Sequence, residues 1–419
     1  MGLSAPESRS VRGSALLMFF ALFLCYVAVS PGSIAGYGYI GEEMESGLRM
    51  MARVTAFFKG RPIPPMLWSR HGPIPVLFDI PFLKLGKFFV STDWTLSFQP
   101  PFFTAALMAL TYLWLRKICS PATSIFLTLA GAFGTMLWPY AYIGLEPKQS
   151  FFVLLAGYLG LARGKIRGWP RVVLFAVICG LALNAKSTGV VMWPAIAYLL
   201  YVQFREDWRQ RYRQLLTSSV VIVGICVVNV VLRNFYWTPR GGGESAIQGW
   251  MIQSKFQIFT NLFGLLGSPA KGLFIFAPIL VAALWAIPRA FRTHRDIAIF
   301  SALVFACMMA FLSLLIAPYD ETWGPRFLHV VVAPLVICIG AAWPAFQWRV
   351  YLPLAVLATI GVVISFLGAF FYYGARGKAS DDARQNTMEW LTSDNVWNEV
   401  VFDARLFQVW WRGSSAPVM

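Results

Sequence analysis

The chain alternates long apolar runs with short polar segments, and these runs indicate its class. An α-helix rises about 1.5 Å per residue and the hydrocarbon core of a membrane is about 30 Å thick, so a spanning helix needs about 20 apolar residues. Two runs, 149–162 and 172–186, are short for a full span. We therefore predict an all-α, polytopic integral membrane protein with about 11 transmembrane helices, within a range of about 9 to 13. The eleven candidate runs are 14–35, 97–115, 121–140, 149–162, 172–186, 188–203, 214–232, 272–288, 297–317, 327–345 and 350–372.

The composition agrees with this class and narrows the functions open to the chain. Of its 419 residues 58% are hydrophobic and 13% are charged, and the mean hydropathy is +0.62, whereas soluble domains carry roughly 25% charged residues. The formal net charge of +16 would suggest nucleic acid in a soluble chain. No nucleic-acid-binding module is visible, and we expect no such partner. The six cysteines show neither a C-x-x-C pair nor zinc-ligand spacing.

Charge is distributed unequally between alternate loops, and this predicts the orientation. One set of loops carries 16 of the 35 Lys and Arg residues but only four of the 19 acids. Because positively charged loops stay in the cytoplasm, we expect this set and the amino terminus inside the cell. With eleven spans, the carboxyl-terminal segment then lies outside. The positively charged set consists of 1–13, 114–121, 162–172, 204–214, 288–296 and 346–350.

The first external loop, residues 36–96, is predicted to carry amphipathic helices. Residues 42–59 have helical period, with acidic and basic side chains on one stripe and apolar ones opposite. This pattern is explained equally well as a helix lying on the membrane or as a solvated face stabilised by i,i+4 ion pairs. Residues 74–90 are apolar but interrupted by charges and prolines, which predicts a second interfacial helix. We expect a transmembrane domain over 1–372 and an external, Trp-rich interfacial segment over 373–419.

Ionisable side chains are almost missing from the predicted spans and collect at their outer ends. This argues against an ion-coupled transporter, whose ionisable groups lie at the bilayer midplane. Carboxylates mixed with Lys and Arg at one membrane surface suit a reaction on an anionic, lipid-tethered substrate, because cations hold a phosphate and a carboxylate takes a proton. Snorkelling of charged side chains at span ends would produce the same distribution without any activity.

Six segments in chain order carry more specific information. They are Gly41-Glu42-Glu43; His71-Gly-Pro-Ile-Pro with Phe78-Asp-Ile-Pro-Phe-Leu-Lys-Leu-Gly; Gly134-Thr-Met-Leu-Trp-Pro-Tyr-Ala with Glu146-Pro; Asn184-Ala-Lys186-Ser-Thr; Ser268-Pro-Ala-Lys-Gly-Leu-Phe-Ile-Phe-Ala-Pro278; and Trp323-Gly-Pro-Arg326-Phe-Leu. Together they resemble the GT-C superfamily of polytopic glycosyltransferases, which use polyprenyl-phosphate sugars. The similarity is to its aminoarabinose transferase and protein O-mannosyltransferase group, and it covers about residues 36–335.

The resemblance implies roles for specific side chains. The acid of the first external loop would act as general base or metal-proximal carboxylate, which falls on Glu42 with Glu43 beside it. The family usually has Asp at the first of these positions, and the extra methylene of Glu shifts the carboxylate by about 1.5 Å, enough to cost around 10²-fold in rate. Either the acceptor sits differently in this chain or the role falls to Glu43. Glu146 would ligate a metal or position the acceptor, and Lys186 and Arg326 would bind the donor phosphate.

Each of these residues also has a structural interpretation. Glu146 would be a loop carboxylate paired with Lys148, and Lys186 a lysine snorkelling from a span end. Arg326 would start a helix and pair with Asp320 or Glu321. Further candidates for substrate contact, on which the resemblance is silent, are Arg70, His71, Lys148, Asp320 and Glu321.

The resemblance thus predicts a multi-pass enzyme of the inner, cytoplasmic membrane that builds part of the cell envelope. It would move a hexosyl or pentosyl group from a polyprenyl-phosphate donor to a lipid, polysaccharide or protein acceptor on the outer face, with inversion. Membrane lipids are its other expected partners. A divalent metal held by Glu42, Glu43 and Glu146 is left open, and no cofactor is required by the sequence. The alternative is a lipid-linked glycan flippase or a non-catalytic membrane scaffold.

Overall fold

The structure is a computed structural model, and its secondary-structure elements are almost entirely helical. It describes residues 9–28, 51–52, 56, 59–61, 72–86, 88, 95–142, 146–162, 164, 166–236, 255–268, 271–315 and 325–375. Most of the amphipathic stretch predicted at 42–59 and all of the Trp-rich segment beyond 375 lie outside these ranges. The last helix runs to Ala375, just past the predicted domain boundary at 372.

The described chain forms fifteen α-helices, several of them extended by short 3₁₀ or π turns. The helices are α1 Arg9–Ala28, α2 Pro73–Leu77, α3 Ile80–Gly86, α4 Gln99–Ile118, α5 Pro121–Phe133, α6 Glu146–Gly157, α7 Trp169–Asn184, α8 Trp193–Phe204, α9 Trp208–Tyr236, α10 Lys255–Gly267, α11 Leu273–Phe276, α12 Ala283–Thr293, α13 Arg295–Ser313, α14 His329–Ala342 and α15 Trp348–Ala375. The short turns are Pro139–Tyr142, Tyr158–Ala162, Ser187–Met192, Pro278–Ala282 and Arg326–Leu328.

Helices occur along all eleven predicted apolar runs, which confirms the all-α, polytopic class. By length and composition, five described helical stretches can cross a membrane: Arg9–Ala28, Ser187–Phe204, Trp208–Leu232, Arg295–Ser313 and Trp348–Ala369. Four shorter helical stretches are also apolar: Pro121–Phe133, Trp169–Asn184, Phe256–Gly267 and Arg326–Ala342. The apolar pattern therefore predicts the positions of the helices more accurately than the number of helices that cross the membrane.

Several helices begin where the sequence places a proline. Proline is tolerated in the first turn because its missing N–H would have no partner there and its fixed φ already suits a helix. At the start of α5, Ser120 adds a cap, since its hydroxyl accepts from the Thr123 N–H at 3.3 Å. The helices with a proline in their first turn include α4, α5, α7 and α8.

Helix α14 is the centre of the bundle. All fourteen of its residues are buried, and it packs against α4, α5, α6, α12 and α13. A helix that is apolar on every side is stable only when it is surrounded. The side chains at its amino-terminal end are therefore held in place by neighbours on several sides.

The segment that follows α5 is fixed against α15 by a close backbone approach. A Cβ atom on Gly361 would lie 2.1 Å from the carbonyl oxygen of Gly134, so only glycine fits there. One turn further along α15, the Ser365 hydroxyl donates to the carbonyl of Thr135 at 2.8 Å. The Gly134-Thr-Met-Leu-Trp-Pro segment is thus anchored where it leads toward α6.

The stretch 74–90, predicted as one interfacial helix, is helical but interrupted. The chain forms two short helices instead, α2 and α3, with Phe78 and Asp79 between them. Pro81 explains the break, because its nitrogen cannot donate to the preceding turn and its ring clashes with that turn. Ile74, Val76 and Leu83 are buried in the bundle, so this part of the loop packs into the protein core.

A polar residue of a predicted span holds α2 in place. The side-chain oxygen of Asn229, in α9, accepts from the Ile74 N–H at 3.3 Å, in the first turn of α2. Gly72 precedes that turn with φ 86°, and a Cβ there would come 2.5 Å from the same oxygen. Glycine is therefore required at residue 72 both for its left-handed backbone and for this close approach.

The Lys- and Arg-rich end of the bundle has its own polar network. The side-chain oxygen of Gln203 accepts from the Ile166 N–H at 2.9 Å, and Arg211 donates to the Gln203 carbonyl at 3.1 Å. Two residues after Gln203, the guanidinium of Arg205 pairs with the carboxylate of Asp296, with 3.2 Å between Nη2 and Oδ2. These bonds join the loops that the charge distribution predicts to be cytoplasmic.

Candidate active site

Three charged residues from distant parts of the chain meet at one point. The Lys186 ammonium donates to Oε1 of Glu146 at 2.5 Å, and Nε of Arg326 donates to the same oxygen. All three residues are at most 3% exposed. Two cations therefore share one buried carboxylate oxygen.

The fold brings these residues together because each stands at a helix end. Glu146 is the first residue of α6, where the positive end of the helix dipole favours a carboxylate. Lys186 follows the carboxyl-terminal end of α7, where the dipole favours a cation. Arg326 begins the turn that leads into the buried helix α14.

An aromatic ring lies beside the two cations. The Lys186 ammonium lies 4.5 Å from the ring centroid of Phe327, and the Arg326 guanidinium carbon lies 5.7 Å from it. Cations near an aromatic face are attracted by its quadrupole. The ring also limits the directions in which the two side chains can turn.

The neighbouring positive charges keep Glu146 ionised, as the partner of Lys186 and Arg326. This residue precedes the apolar run of α6, at the predicted outer end of the bundle. Burial raises the pKa of Glu146, but the charges of Arg326 and Lys186 and their hydrogen bonds lower it by more, so that it lies well below its ordinary value. A carboxylate with so low a pKa is a poor general base near neutral pH. Glu146 is therefore better suited to orienting cations than to taking a proton.

Lys148, two residues along α6, belongs to a separate ion pair. Its ammonium donates to Oδ1 of Asp79 at 2.7 Å and to the Pro75 carbonyl at 3.3 Å. Both charged residues are at most 1% exposed. The structural interpretation that paired Glu146 with Lys148 is therefore wrong, and the Lys148 pair instead joins α6 to the α2–α3 segment.

We expect removal of either member of the Asp79–Lys148 pair to destabilise the protein. Asp79→Asn or Lys148→Met should each cost about 3 kcal/mol, because the remaining charge is left buried. The double variant Asp79→Leu with Lys148→Met should recover most of that loss, since two apolar side chains need no partner. Thermal unfolding of the detergent-purified variants measures all three.

The matched control is Arg205→Gln, which breaks the partly exposed pair with Asp296 and should cost no more than about 1 kcal/mol. A double variant at residues 79 and 148 that is less stable than both single variants would contradict the explanation that an unpaired buried charge causes the loss.

Six other predicted site residues lie outside the described residues, and their roles stay predictions. They are Glu42, Glu43, Arg70, His71, Asp320 and Glu321. Among the described candidates, the structure unites Glu146, Lys186 and Arg326. It also shows the snorkelling interpretation of Lys186 to be wrong, since the ammonium bonds to a buried carboxylate.

Comparison with known proteins establishes the fold. No known family profile and no curated protein sequence matches the chain. It is similar to the crystal structure of ArnT from Cupriavidus metallidurans in the apo state, with a TM-score of 0.54 and 15% identity over 82% of this chain and 62% of that one. It is also similar to the Archaeoglobus fulgidus oligosaccharyltransferase tethered to an acceptor peptide, with a TM-score of 0.52 and 13% identity over 93% of this chain and 59% of that one. The chain has the GT-C fold.

The predicted GT-C resemblance is thus confirmed for the architecture. The chain spans about 62% of the length of the ArnT structure and 59% of the oligosaccharyltransferase. At these identities the likeness is one of fold, so the chemistry of this protein has to be argued from its own side chains.

Sequence reasoning missed four polar residues beside the charged cluster. Oγ of Ser150 lies 2.7 Å from Nδ1 of His329, and the Thr188 hydroxyl donates to Oε1 of Gln149 at 3.2 Å. Residues 146, 149 and 150 are spaced three and four apart, so they share one face of α6. A polar face at the start of an otherwise apolar run is unusual, and this feature of the sequence could have indicated Gln149 and Ser150 as site residues.

The described residues do not fit a metal. In the part of the chain that the structure describes, no three His, Cys, Asp or Glu residues gather as a metal site would require. Glu146, the one described carboxylate of the predicted metal set, already bonds to Lys186 and Arg326. A divalent cation at this carboxylate would lie beside two positive charges, which opposes its binding.

Proposed function

We propose that this GT-C protein is a membrane glycosyltransferase that moves a monosaccharide from a polyprenyl-phosphate donor to an acceptor hydroxyl. The observation that carries the proposal is the buried meeting of Lys186 and Arg326 on Glu146, at helix ends of a GT-C bundle. Two fixed cations at one membrane face suit the phosphate of a lipid-linked sugar. One structural neighbour is an oligosaccharyltransferase, which by its name is also an enzyme of sugar transfer.

The two cations would act on the charge that develops during transfer. The donor is a phosphodiester with one negative charge, and its phosphate gains a second as the sugar leaves. Lysine and arginine both keep their positive charge when they bond to Glu146, and this charge attracts a phosphate. Cations that are already held in place stabilise the transition state without reorganising, which raises the rate as well as the affinity.

Proton transfer would fall to the first external loop. Since the pKa of Glu146 is held well below its ordinary value, it is unsuited to act as the base, and we assign that role to Glu42 or Glu43. The acceptor hydroxyl would give its proton to this carboxylate as its oxygen forms a bond to the anomeric carbon. The bond from that carbon to the phosphate oxygen breaks, and its electron pair stays on the phosphate. Attack opposite the leaving phosphate inverts the anomeric carbon.

The predicted orientation supports an outer-face reaction in the cytoplasmic membrane. Lys186 follows the end of α7, whereas the Lys- and Arg-rich segment before that helix lies at its other end. The positive-inside rule puts the latter in the cytoplasm. The cluster of Glu146, Lys186 and Arg326 would then face the outer side, where a lipid, polysaccharide or protein acceptor is available.

Cells lacking the gene test the proposal. We expect one polyprenyl-phosphate monosaccharide to accumulate and one envelope glycan to lose that sugar, as measured by mass spectrometry of extracted lipids and glycans. The wild-type gene should restore both. The double variant Glu42→Gln with Glu43→Gln should reach the membrane and restore neither, because general-base assistance contributes roughly 10²–10⁴-fold. Glu206→Gln, which removes an exposed carboxylate from a loop predicted to be cytoplasmic, is the control and should restore both.

Two outcomes would contradict the proposal. If neither lipid nor glycan changes in the deleted strain, the protein transfers no sugar to the envelope. If the lipid accumulates but Glu42→Gln and Glu43→Gln together still restore the glycan, movement of the lipid-linked sugar is favoured over its chemical transfer.

A further inference from the structure

Three buried side-chain atoms next to the charged cluster have no hydrogen-bond partner among the described residues. They are Oε2 of Glu146, Nε2 of Gln149 and Nε2 of His329. Each belongs to a side chain that is at most 2% exposed. Buried polar atoms in native proteins are almost always bonded to protein or to ordered water, so three exceptions at one place point to a bound ligand or water.

Each of these side chains is anchored through its other polar atom. Oε1 of Glu146 accepts from Lys186 and Arg326, Oε1 of Gln149 accepts from Thr188, and Nδ1 of His329 bonds to Ser150. Anchoring at one end leaves the other end with a defined position. This is how binding sites hold polar groups ready for a ligand.

The three anchored side chains belong to one place in the fold. Glu146, Gln149 and Ser150 occupy a single turn of α6, and His329 is joined to that turn through Ser150. Arg326 and His329 are one turn apart at the start of α14, and Lys186 and Thr188 lie in one short segment. The unbonded atoms therefore lie beside the two cations that we assign to the donor phosphate.

The chemistry of these atoms identifies the kind of group they bind. Ionised Glu146 can only accept a hydrogen bond, and the Gln149 amide nitrogen can only donate one. Nε2 of His329 donates when the Ser150 hydroxyl donates to Nδ1, and accepts in the other tautomer. A phosphate diester oxygen accepts only and cannot satisfy Glu146. A hydroxyl both donates and accepts, so neighbouring hydroxyls can satisfy all three atoms.

We propose that Oε2 of Glu146, Gln149 and His329 form the subsite for hydroxyl groups of the donor sugar. This inference rests on the proposed function, because it takes the phosphate to be held by Lys186 and Arg326. The sugar is bonded directly to that phosphate and must lie next to it, which favours the donor sugar over the acceptor. Gln149 and His329 then determine which lipid-linked sugars are used.

Two histidine variants separate this role from a structural one. His329→Asn can keep a bond to Ser150 from the Nδ1 position but has no group at the Nε2 position. His329→Gln places an amide nitrogen near the Nε2 position instead. Gln149→Leu keeps the volume and removes the amide. The control is Ser301→Ala, which removes the buried bond from Ser301 to the Pro334 carbonyl on α14, away from the polar face of α6.

Binding of defined lipids to the detergent-purified full chain tests the proposal. The probes are decaprenyl phosphate and its mannose, glucose and arabinose derivatives. We expect the wild-type protein and Ser301→Ala to bind one sugar-bearing probe at least about tenfold more tightly than decaprenyl phosphate. His329→Asn and Gln149→Leu should reduce this preference to within about threefold while binding decaprenyl phosphate as before, and His329→Gln should retain most of it.

Three results would overturn the subsite. One is a wild-type protein that binds all four probes equally. Another is a full sugar preference in both His329→Asn and Gln149→Leu. The third is the behaviour expected of a structural role: the variants lose binding of the bare and sugar-bearing lipids equally, or they show only a lower unfolding temperature. Either result would mean that the unbonded atoms hold a structural water. Failure of the proposed function itself looks different, because decaprenyl phosphate would then bind no better to the wild type than to Lys186→Met.

Discussion

Arg326→Lys is expected to lower sugar transfer by about 10²–10³-fold while the protein still folds. The substitution keeps the positive charge, so Glu146 remains paired. It removes the planar guanidinium, which can bond to the carboxylate through Nε and still present other N–H groups to a phosphate. Lysine has a single nitrogen on a flexible side chain, so it cannot bond to the Glu146 carboxylate and to the phosphate in the geometry that arginine allows.

The measurement is kcat and KM of the purified variant with the donor lipid that accumulates in the deleted strain. We expect the loss mainly in kcat, because the second phosphate charge appears only as the sugar leaves. Arg289→Lys is the matched control. That arginine donates through Nε to the carbonyl of Ala342, the last residue of α14, and its replacement should change transfer by less than about threefold. An Arg326→Lys enzyme with near wild-type kcat would remove Arg326 from the reaction.

Glu146→Gln is expected to have the largest effect on stability, about 5 kcal/mol. The carboxylate bonds to two buried cations, and the neutral amide would leave both beside each other without their shared negative charge. Adding Lys186→Met should return part of the stability, since one cation then disappears, but it should not restore transfer. Thermal unfolding and transfer assays on the single and double variants distinguish these effects.

The Glu146 contribution should also depend on pH in a defined direction. Because the pKa of Glu146 is lower in the folded protein than in the unfolded chain, its stabilisation is complete above the unfolded value of about 4.3. It is lost as the pH falls toward the folded value. The stability difference between wild type and Glu146→Gln should therefore be constant from about pH 6 to 8 and shrink below about pH 4. A difference that grows on acidification would show that Glu146 is not the counter-charge of Lys186 and Arg326.

The helices were the most predictable feature of this chain. Each predicted apolar run corresponds to helix because a backbone in hydrocarbon must satisfy its own hydrogen bonds locally. The interruption at residues 78–79 was less apparent, although Pro81 provides a local reason for it. Asn229 was visible as a polar residue in a span, but its bond to the Ile74 N–H depends on how α9 packs beside α2.

The candidate site was only partly predictable. Resemblance to other sequences marked Glu146, Lys186 and Arg326 individually. Their meeting joins positions 40 and 180 residues apart, and nothing local in the chain specifies it. The nearest lysine to Glu146 in sequence, Lys148, bonds to Asp79 instead, 69 residues away. Gln149 and His329 were not predicted. Each stands out only because one of its buried nitrogens has no hydrogen-bond partner among the described residues, and this is visible only in the folded structure.

By itself, the sequence determined that this protein is a bundle of helices in a membrane and which end of the bundle is rich in positive charge. Both follow from local properties, since hydrophobic length and loop charge act residue by residue on insertion. The tertiary structure decided which charges become partners. A buried ion must find a counter-charge in three dimensions, and the packing around α14 brings Lys186 and Arg326 to one oxygen of Glu146.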